Sequence, residues 1–374
     1  MKAILALEDG TIFEGNSIGA TGTVTGEACF NTAVMGYQEI LTDPAYCGQI
    51  LAMTYPLIGN YGMVEEDNES ASPKAAAVII GELSNIHSSW RAESPMGAWL
   101  SQHNTPGIEG VDTRRLARHL RTKGSMRACV TTELTAEEAV ARAQSAPSLA
   151  GAALAAQVGT TSAYMWEGES RPWKLPNKTA GDMTYYGTLA PVSSKVVALD
   201  LGIKTSTLRA LRQDGCEVNV VPASTSAEEI LALQPDGLFL SSGPGDPSAL
   251  NSVIETTKEL LGKLPLFGLG LGMEVLGIAL GGQVEKLKFG HRGSNQPSKN
   301  LVTGKVEITA PNQNFALVAA SLPAGVEVSH LNLNDDSVSG IICREKKAAG
   351  LEYTPEPVNG CTFCTFLDMM NADK

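Results

Sequence analysis

The chain has 374 residues, 43% of them apolar and 18% charged, with a formal net charge of −12. That length exceeds one ordinary core and suits two, and the composition excludes a disordered polymer. The negative field repels phosphate backbones and anionic lipid, and no local Lys/Arg cluster reverses it, so neither nucleic acid nor a membrane surface is expected as a partner.

The opening segment reads as a hairpin, with Ile4 to Leu7 and Thr11 to Phe13 as strands around Asp9-Gly10, a dipeptide that tolerates the positive φ of a tight turn. No run approaches the length that crosses a bilayer, and the N-terminus turns acidic after a short apolar stretch, so the chain is expected to be cytoplasmic. From Asp112 the spacing of Leu116 and Leu120 predicts an amphipathic helix behind an Asp or Thr cap. Residues from about 160 to 194 are rich in Gly, Pro, Ser and Thr without a sustained period, which predicts a linker. The organisation expected is a β-containing α/β domain over 1–150, a linker over 151–194 and an α/β domain over 195–374.

Beyond the linker, strands at Lys195–Asp200, Glu217–Val221, Gly237–Leu240 and Leu264–Leu269 alternate with helices at Lys204–Gln213, Ser226–Leu233 and Met273–Leu280. Such alternation predicts a doubly wound parallel sheet, whose chemistry gathers at the carboxyl ends of its strands. Two loops fall there, Ser241 to Pro247 and Gly268-Leu269-Gly270-Leu271-Gly272. Neither ends in the Gly-Lys-Ser/Thr of a phosphate-binding loop, and a dinucleotide fingerprint would need Gly or Ala at Met273 or Val275. An NAD-type oxidoreductase is therefore disfavoured. Strand, Gly-x-Gly turn and helix instead describe a nucleophile elbow with Gly270 at the nucleophile position; glycines that only permit close packing are the plain alternative. The seven cysteines are odd in number and mostly scattered, and Cys361-x-x-Cys364 lacks the second pair that zinc requires, so both are expected to be ordinary thiols and no metal is expected.

The sequence Phe267-Gly268-Leu269-Gly270-Leu271-Gly272-Met273-Glu274, followed by Thr354-Pro355-Glu356, resembles the class I glutamine amidotransferases, which carry Phe-Gly-Ile/Val-Cys-Leu-Gly-His-Gln and a later His-Pro-Glu. Together with Phe30-Asn31-Thr32, Gly36 to Pro44, Tyr55 to Asn60 and Lys288 to Gly293, the likeness narrows to the small subunit of carbamoyl-phosphate synthase. That resemblance implies a flavodoxin-like second domain and a large-subunit partner that makes carbamoyl phosphate from bicarbonate, ATP and ammonia. It implies no cofactor in this subunit, with ATP and Mg on the large one. It also implies that ammonia from glutamine reaches the partner through a channel.

By the same resemblance the nucleophile falls at Gly270, the base at Thr354 and its orienting carboxylate at Glu356, while substrate contacts fall on Cys47, Gly243, Gly245, Leu271, Glu274, Asn312, Asn314 and Phe315. The family usually has Ser at 47, Gln at 274 and Gly at 314. Gly270 has no side chain and Thr354 does not titrate near neutrality. Losing either role in a comparable hydrolase costs about a million-fold, ~8 kcal/mol. The expectation is a small subunit that leaves glutamine intact and whose partner uses free ammonia. The alternative is a binding module that holds another small ligand in the vacated pocket; glutamine or another small ligand is allowed as a partner. His291 is read as structural or interfacial, and Lys204 as an ordinary helix-start residue.

Overall fold

Asp9 shapes the first turn by accepting from the Thr11 N–H at 3.0 Å, while Gly10 takes φ +88°. The strands on either side run over Lys2–Leu7 and Ile12–Gly19 in a computed structural model that describes residues 1–167, 190–358 and 360–372. Five more, Thr23–Asn31, Gln49–Met53, Ala77–Ile79, Pro106–Glu109 and Met126–Thr131, join them in a closed barrel, which leaves no unpaired edge. Alternation along the first strand sends Leu5 and Leu7 into one cluster with Ile50 and Ala52, and Ala6 with Ile4 into another against Ala139 and Ala143 of the helix Ala136–Gln144. The predicted amphipathic helix spans Thr113–Lys123, capped by Asp112 on the Arg115 N–H at 2.8 Å, and buries Leu116 and Leu120.

In the second half, parallel strands Ser194–Asp200, Cys216–Pro222, Gly237–Leu240, Leu266–Leu269 and Ala348–Leu351 lie in the spatial order second, first, third, fourth, fifth. This is the flavodoxin-like order. Val197, Leu199, Leu238 and Leu240 face one core with the helices Asn251–Leu260 and Leu271–Ala279; Val196, Ala198, Phe239 and Phe267 face the other with Thr205–Gln213 and Cys364–Asn371. Burial on both faces explains the near-continuous apolar strands. An antiparallel extension, Val338–Cys343, Glu327–Asn332, Gln296–Asn300 and Val306–Thr309, continues the sheet beyond Ala348–Leu351.

Two expectations are corrected here. Tyr164–Met165, read as linker, pairs antiparallel with Cys216–Pro222 and borders the sheet; residues 168–189 of that linker lie outside the described residues. Cys361 and Cys364, expected to be separate thiols, are joined in a disulfide, because the loop that starts the last helix brings their Cα atoms to 5.5 Å, inside the bridging range.

The two halves meet through polar groups that each half supplies to the other. Arg292, 4% exposed, donates to Gln49 Oε1 at 2.7 Å, to Phe289 O at 2.8 Å and to Asn314 Oδ1. Asn312 Nδ2 donates to Asp43 Oδ2 at 3.1 Å, Lys286 pairs with Glu27, and Phe30 stacks on Phe289. The helix Thr205–Gln213 has no side-chain cap from Lys204; Glu69 of the first domain caps it, its carboxylate taking the Ser206 N–H at 2.9 Å and its backbone carbonyl the Thr205 N–H at 3.0 Å. Lys204 thus differs from an ordinary helix-start residue. Burial would depress its ammonium, but Asp43 and Glu69 outweigh that and hold its pKa above the usual lysine range.

Because Arg292 binds acceptors from both halves, Arg292→Met leaves Gln49 and Asn314 without their donor and is expected to lower stability by about 3 kcal/mol, against about 1 kcal/mol for Glu69→Ala. Urea unfolding followed by tryptophan fluorescence checks the ranking; equal effects would mean that Arg292 does not hold the halves together.

Candidate functional site

The strand Leu266–Leu269 ends at Gly270, whose φ +54° and ψ −120° turn the chain into the helix Leu271–Ala279 within one residue. The Gly270 N–H donates to Leu351 O at 2.8 Å, and its carbonyl accepts from Met273 and Glu274 N–H at 2.8 and 3.1 Å. Its neighbours are constrained differently. A Cβ on Gly268 would stand 2.4 Å from Gly272 O, and one on Gly272 would stand 2.1 Å from Leu240 O, so both permit the helix to press on the sheet. At Gly270 the nearest atom to such a Cβ is Ser242 Cβ at 3.4 Å, ordinary contact distance. The packing reading therefore holds for Gly268 and Gly272, whereas position 270 has room for a side chain at a backbone conformation that resists one.

Other elements converge on this elbow. Ser241 Oγ accepts from the Leu201 N–H at 2.9 Å and ties the loop after Gly237–Leu240 to the end of the first parallel strand. That places Gly243 against Leu271, 3.1 Å from its would-be Cβ to Leu271 Cδ2, and against Gly202, which touches Pro44 of the first domain. Gly245, at φ +99°, packs on Ala152 and Leu154, and Leu154 also contacts Gly48, next to Cys47. As the first helical residue, Leu271 offers an N–H with no intrahelical acceptor. The structure thus gathers Gly270, Leu271, Gly243, Gly245 and Cys47 around one corner of the domain interface. Burial raises the Cys47 thiol pKa, and Lys74 only partly offsets it, so the thiol stays protonated at neutrality.

Asn312 and Asn314 are drawn to the interface by Asp43 and Arg292, and the Asn312 Oδ1 is buried without a partner. Phe315 lies buried in the same strand, Asn312–Leu317, which reaches the elbow helix where Leu317 packs on Gly277. A cleft of about 210 Å³ opens beside Asn312, lined also by Asn31, Asp43, Tyr46, Glu69 and Lys204. Thr354 and Glu356 follow the strand Ala348–Leu351 and are exposed, and Glu356 makes no hydrogen bond or ion pair among the described residues. His291 is buried and bonded to Asp335 at 2.8 Å, in keeping with a structural role.

Glu274 is 3% exposed in the first turn of the elbow helix, with Oε1 unpartnered. Burial, reinforced by the charge of Asp246, pushes its pKa up to about 8. Glu352, which sequence reasoning passed over, is 4% exposed with both carboxyl oxygens unpartnered. Burial and then the Glu274 charge raise it well above the ordinary glutamate range. Its signal was an acid directly after the apolar run Ala348-Ala349-Gly350-Leu351. Ser242, whose Oγ is also buried and unpartnered beside Gly270, was visible only as part of its loop. Among the described residues no three His, Cys, Asp or Glu come together as metal ligands.

The family model for the carbamoyl-phosphate synthase small chain, CPSase domain, matches residues 5–130, and that for glutamine amidotransferase class-I matches residues 197–364. A protein of Akkermansia muciniphila, carbamoyl phosphate synthase small chain, is 49% identical over 360 residues, 96% of this chain and 94% of its own length. Proteins of the same name from Syntrophotalea carbinolica and a Synechococcus strain are 44% and 47% identical, with 100% and 96% of this chain covered and 99% and 89% of theirs.

Two outcomes are expected from this geometry. Gly272→Ala, driven against the Leu240 carbonyl, should cost about 3 kcal/mol in urea unfolding, and Gly270→Ala only about 1 to 2 kcal/mol of backbone strain; the reverse order would contradict the elbow. Glu274 and Glu352 bind protons more tightly folded than unfolded. Stability is therefore greatest below the unfolded value near 4.5 and falls, by on the order of a few kcal/mol, as pH rises through the folded value of about 8. Melting temperatures across that range should decline for the native chain and stay flatter for Glu274→Gln.

Proposed function

The chain belongs to the carbamoyl-phosphate synthase small-chain family, and from that premise we propose that it is a cytoplasmic small subunit that docks on a large synthetase subunit without hydrolysing glutamine itself. One observation carries the reading: the elbow keeps the conformation and the backbone N–H groups of a nucleophile site, but position 270 has no atom beyond Cα.

The chemistry follows from the groups present. Acyl transfer from a glutamine amide needs a nucleophile at the elbow, a base to move its proton and donors for the developing oxyanion. The Leu271 and Gly245 N–H groups supply the last of these. Cys47 sits in the first domain as a protonated thiol, because the Lys74 ammonium only partly offsets its burial. At Thr354 a hydroxyl stands in place of a titrating base, and Glu356 has no imidazole to orient. At position 274 the amide usual in the family donates and accepts at every pH, whereas the Glu274 carboxyl donates only while it is protonated, below about pH 8. A large subunit carrying ATP and Mg would then draw on free ammonia.

A second reading, a binding module that has taken another small ligand, is favoured by the unpartnered carboxyls of Glu274 and Glu352. Purification without any synthetase subunit would support it over the first.

Reconstituted with a large subunit, the chain should support carbamoyl phosphate formation from ammonium and give no glutamine-dependent rate above a no-glutamine control. Gly270→Cys combined with Thr354→His should restore measurable glutaminase activity, by about 10²-fold or more over the native chain. Robust turnover of glutamine by the native complex would refute the proposal.

A further inference from the structure

Glu274 and Glu352 approach each other from two elements that the fold fixes independently. The elbow helix carries Glu274 in its first turn. Glu352 extends the ladder of Ala348–Leu351 by donating its N–H to Ser339 O at 3.0 Å. A Cβ on Gly350, two residues earlier, would meet Met273 of the elbow helix at 2.6 Å to Cγ, so strand alternation turns Glu352 toward that helix as well.

The two carboxyls are buried without compensation. Glu274 Oε1, Glu352 Oε1 and Glu352 Oε2 accept no hydrogen bond, and no Lys, Arg or His pairs with either residue among the described residues. The nearby Asp246 differs, because the Gly151 and Ser248 N–H groups and the Ser248 hydroxyl donate to it. Orphaned buried oxygens are rare and costly, and three on two facing side chains call for a donor-rich cation. Ser242 Oγ is likewise buried and unpartnered, beside the bare Gly270 at the start of the same helix. Divalent ions want six or more oxygens, and among the described residues no third acidic ligand converges. A small monovalent ion with N–H donors on every side can satisfy the three orphan carboxyl oxygens, and its charge balances the pair when one of the two carboxyls keeps its proton.

We propose that Glu274 and Glu352 form a binding site for the ammonium ion at the elbow. The proposal rests on the reading that this chain leaves glutamine intact, and it specifies the ligand that the altered pocket takes in its place. Without the ion, the pair carries protons; binding replaces a proton by ammonium, so affinity rises with pH as Glu274, facing Glu352 and Asp246, ionises.

The test uses the purified full chain at constant ionic strength, with ammonium chloride, potassium chloride or tetramethylammonium chloride as the probe salt. A saturable rise in melting temperature of about 2 to 4 °C is expected with ammonium alone, larger at pH 8 than at pH 6, and absent in Glu352→Gln and in Glu274→Gln. An equal rise with potassium, or an ammonium response that persists in both variants, overturns the site. Should the variants fold poorly, line broadening of ¹⁵N-ammonium by the native chain, reversed by excess unlabelled ammonium but not by potassium, gives the same decision, and a sharp line overturns it. A glutaminase assay on the same preparation separates the two claims. No ammonium response with glutamine intact rejects only the site, whereas glutamine hydrolysis rejects the reading beneath it.

Discussion

A strand must become a helix in one residue at the carboxyl edge of the sheet, with the helix still pressed on the strand it leaves. Everything around position 270 follows from that requirement. Gly268 and Gly272 lack side chains because backbone carbonyls occupy the space their Cβ atoms would take. Gly270 is different, since it has room but takes a positive φ that L residues resist, a strain of about 1 to 3 kcal/mol for a side chain held there. In a nucleophilic enzyme such strain is sustained by the activity it serves. Without a nucleophile, glycine is the residue that lets the same turn persist at least cost, so an intact elbow and an absent side chain are mutually consistent.

The elbow is not complete within its own domain. The Asp43–Cys47 turn, Gln49 and Glu69 come from the barrel half, and each is held by a polar contact to the sheet half: Asn312 to Asp43, Arg292 to Gln49, and the start of Thr205–Gln213 to Glu69. Such contacts are directional. They fix the corner where Cys47, Gly243 and Leu271 meet more tightly than apolar packing of the same area would. The shape of the corner therefore does not depend on a side chain at 270 or 354, because the side-chain contacts that build it run through Asp43, Gln49, Glu69, Arg292 and Asn312.

Much of this was legible in the sequence. The parallel sheet announced itself through short apolar strands alternating with amphipathic helices, and the Asp112 cap and the Asp9-Gly10 turn are local signals that the structure reproduces. The elbow followed from the order strand, Gly-x-Gly, helix. Closure of the barrel was not legible, because it depends on parallel pairs such as Gln49–Met53 with Ala77–Ile79 whose intervening segments carry no helical period. Glu69 as a cap for a helix over 130 residues away, and Glu352 as the neighbour of Glu274, are products of tertiary approach. Glu69 taken alone looks like an ordinary surface acid, and the apolar run before Glu352 signals its burial but not its neighbour. The Cys361–Cys364 disulfide likewise depends on the bend that opens the last helix, which spacing alone does not specify.

The most direct measurement is intact-protein mass spectrometry after exposure to an electrophilic glutamine analogue that traps amidotransferase nucleophiles. The account predicts an unchanged mass for the native chain and a single adduct once Cys is placed at position 270. One stoichiometric adduct on the native chain, localised to any residue of the elbow corner, would contradict it.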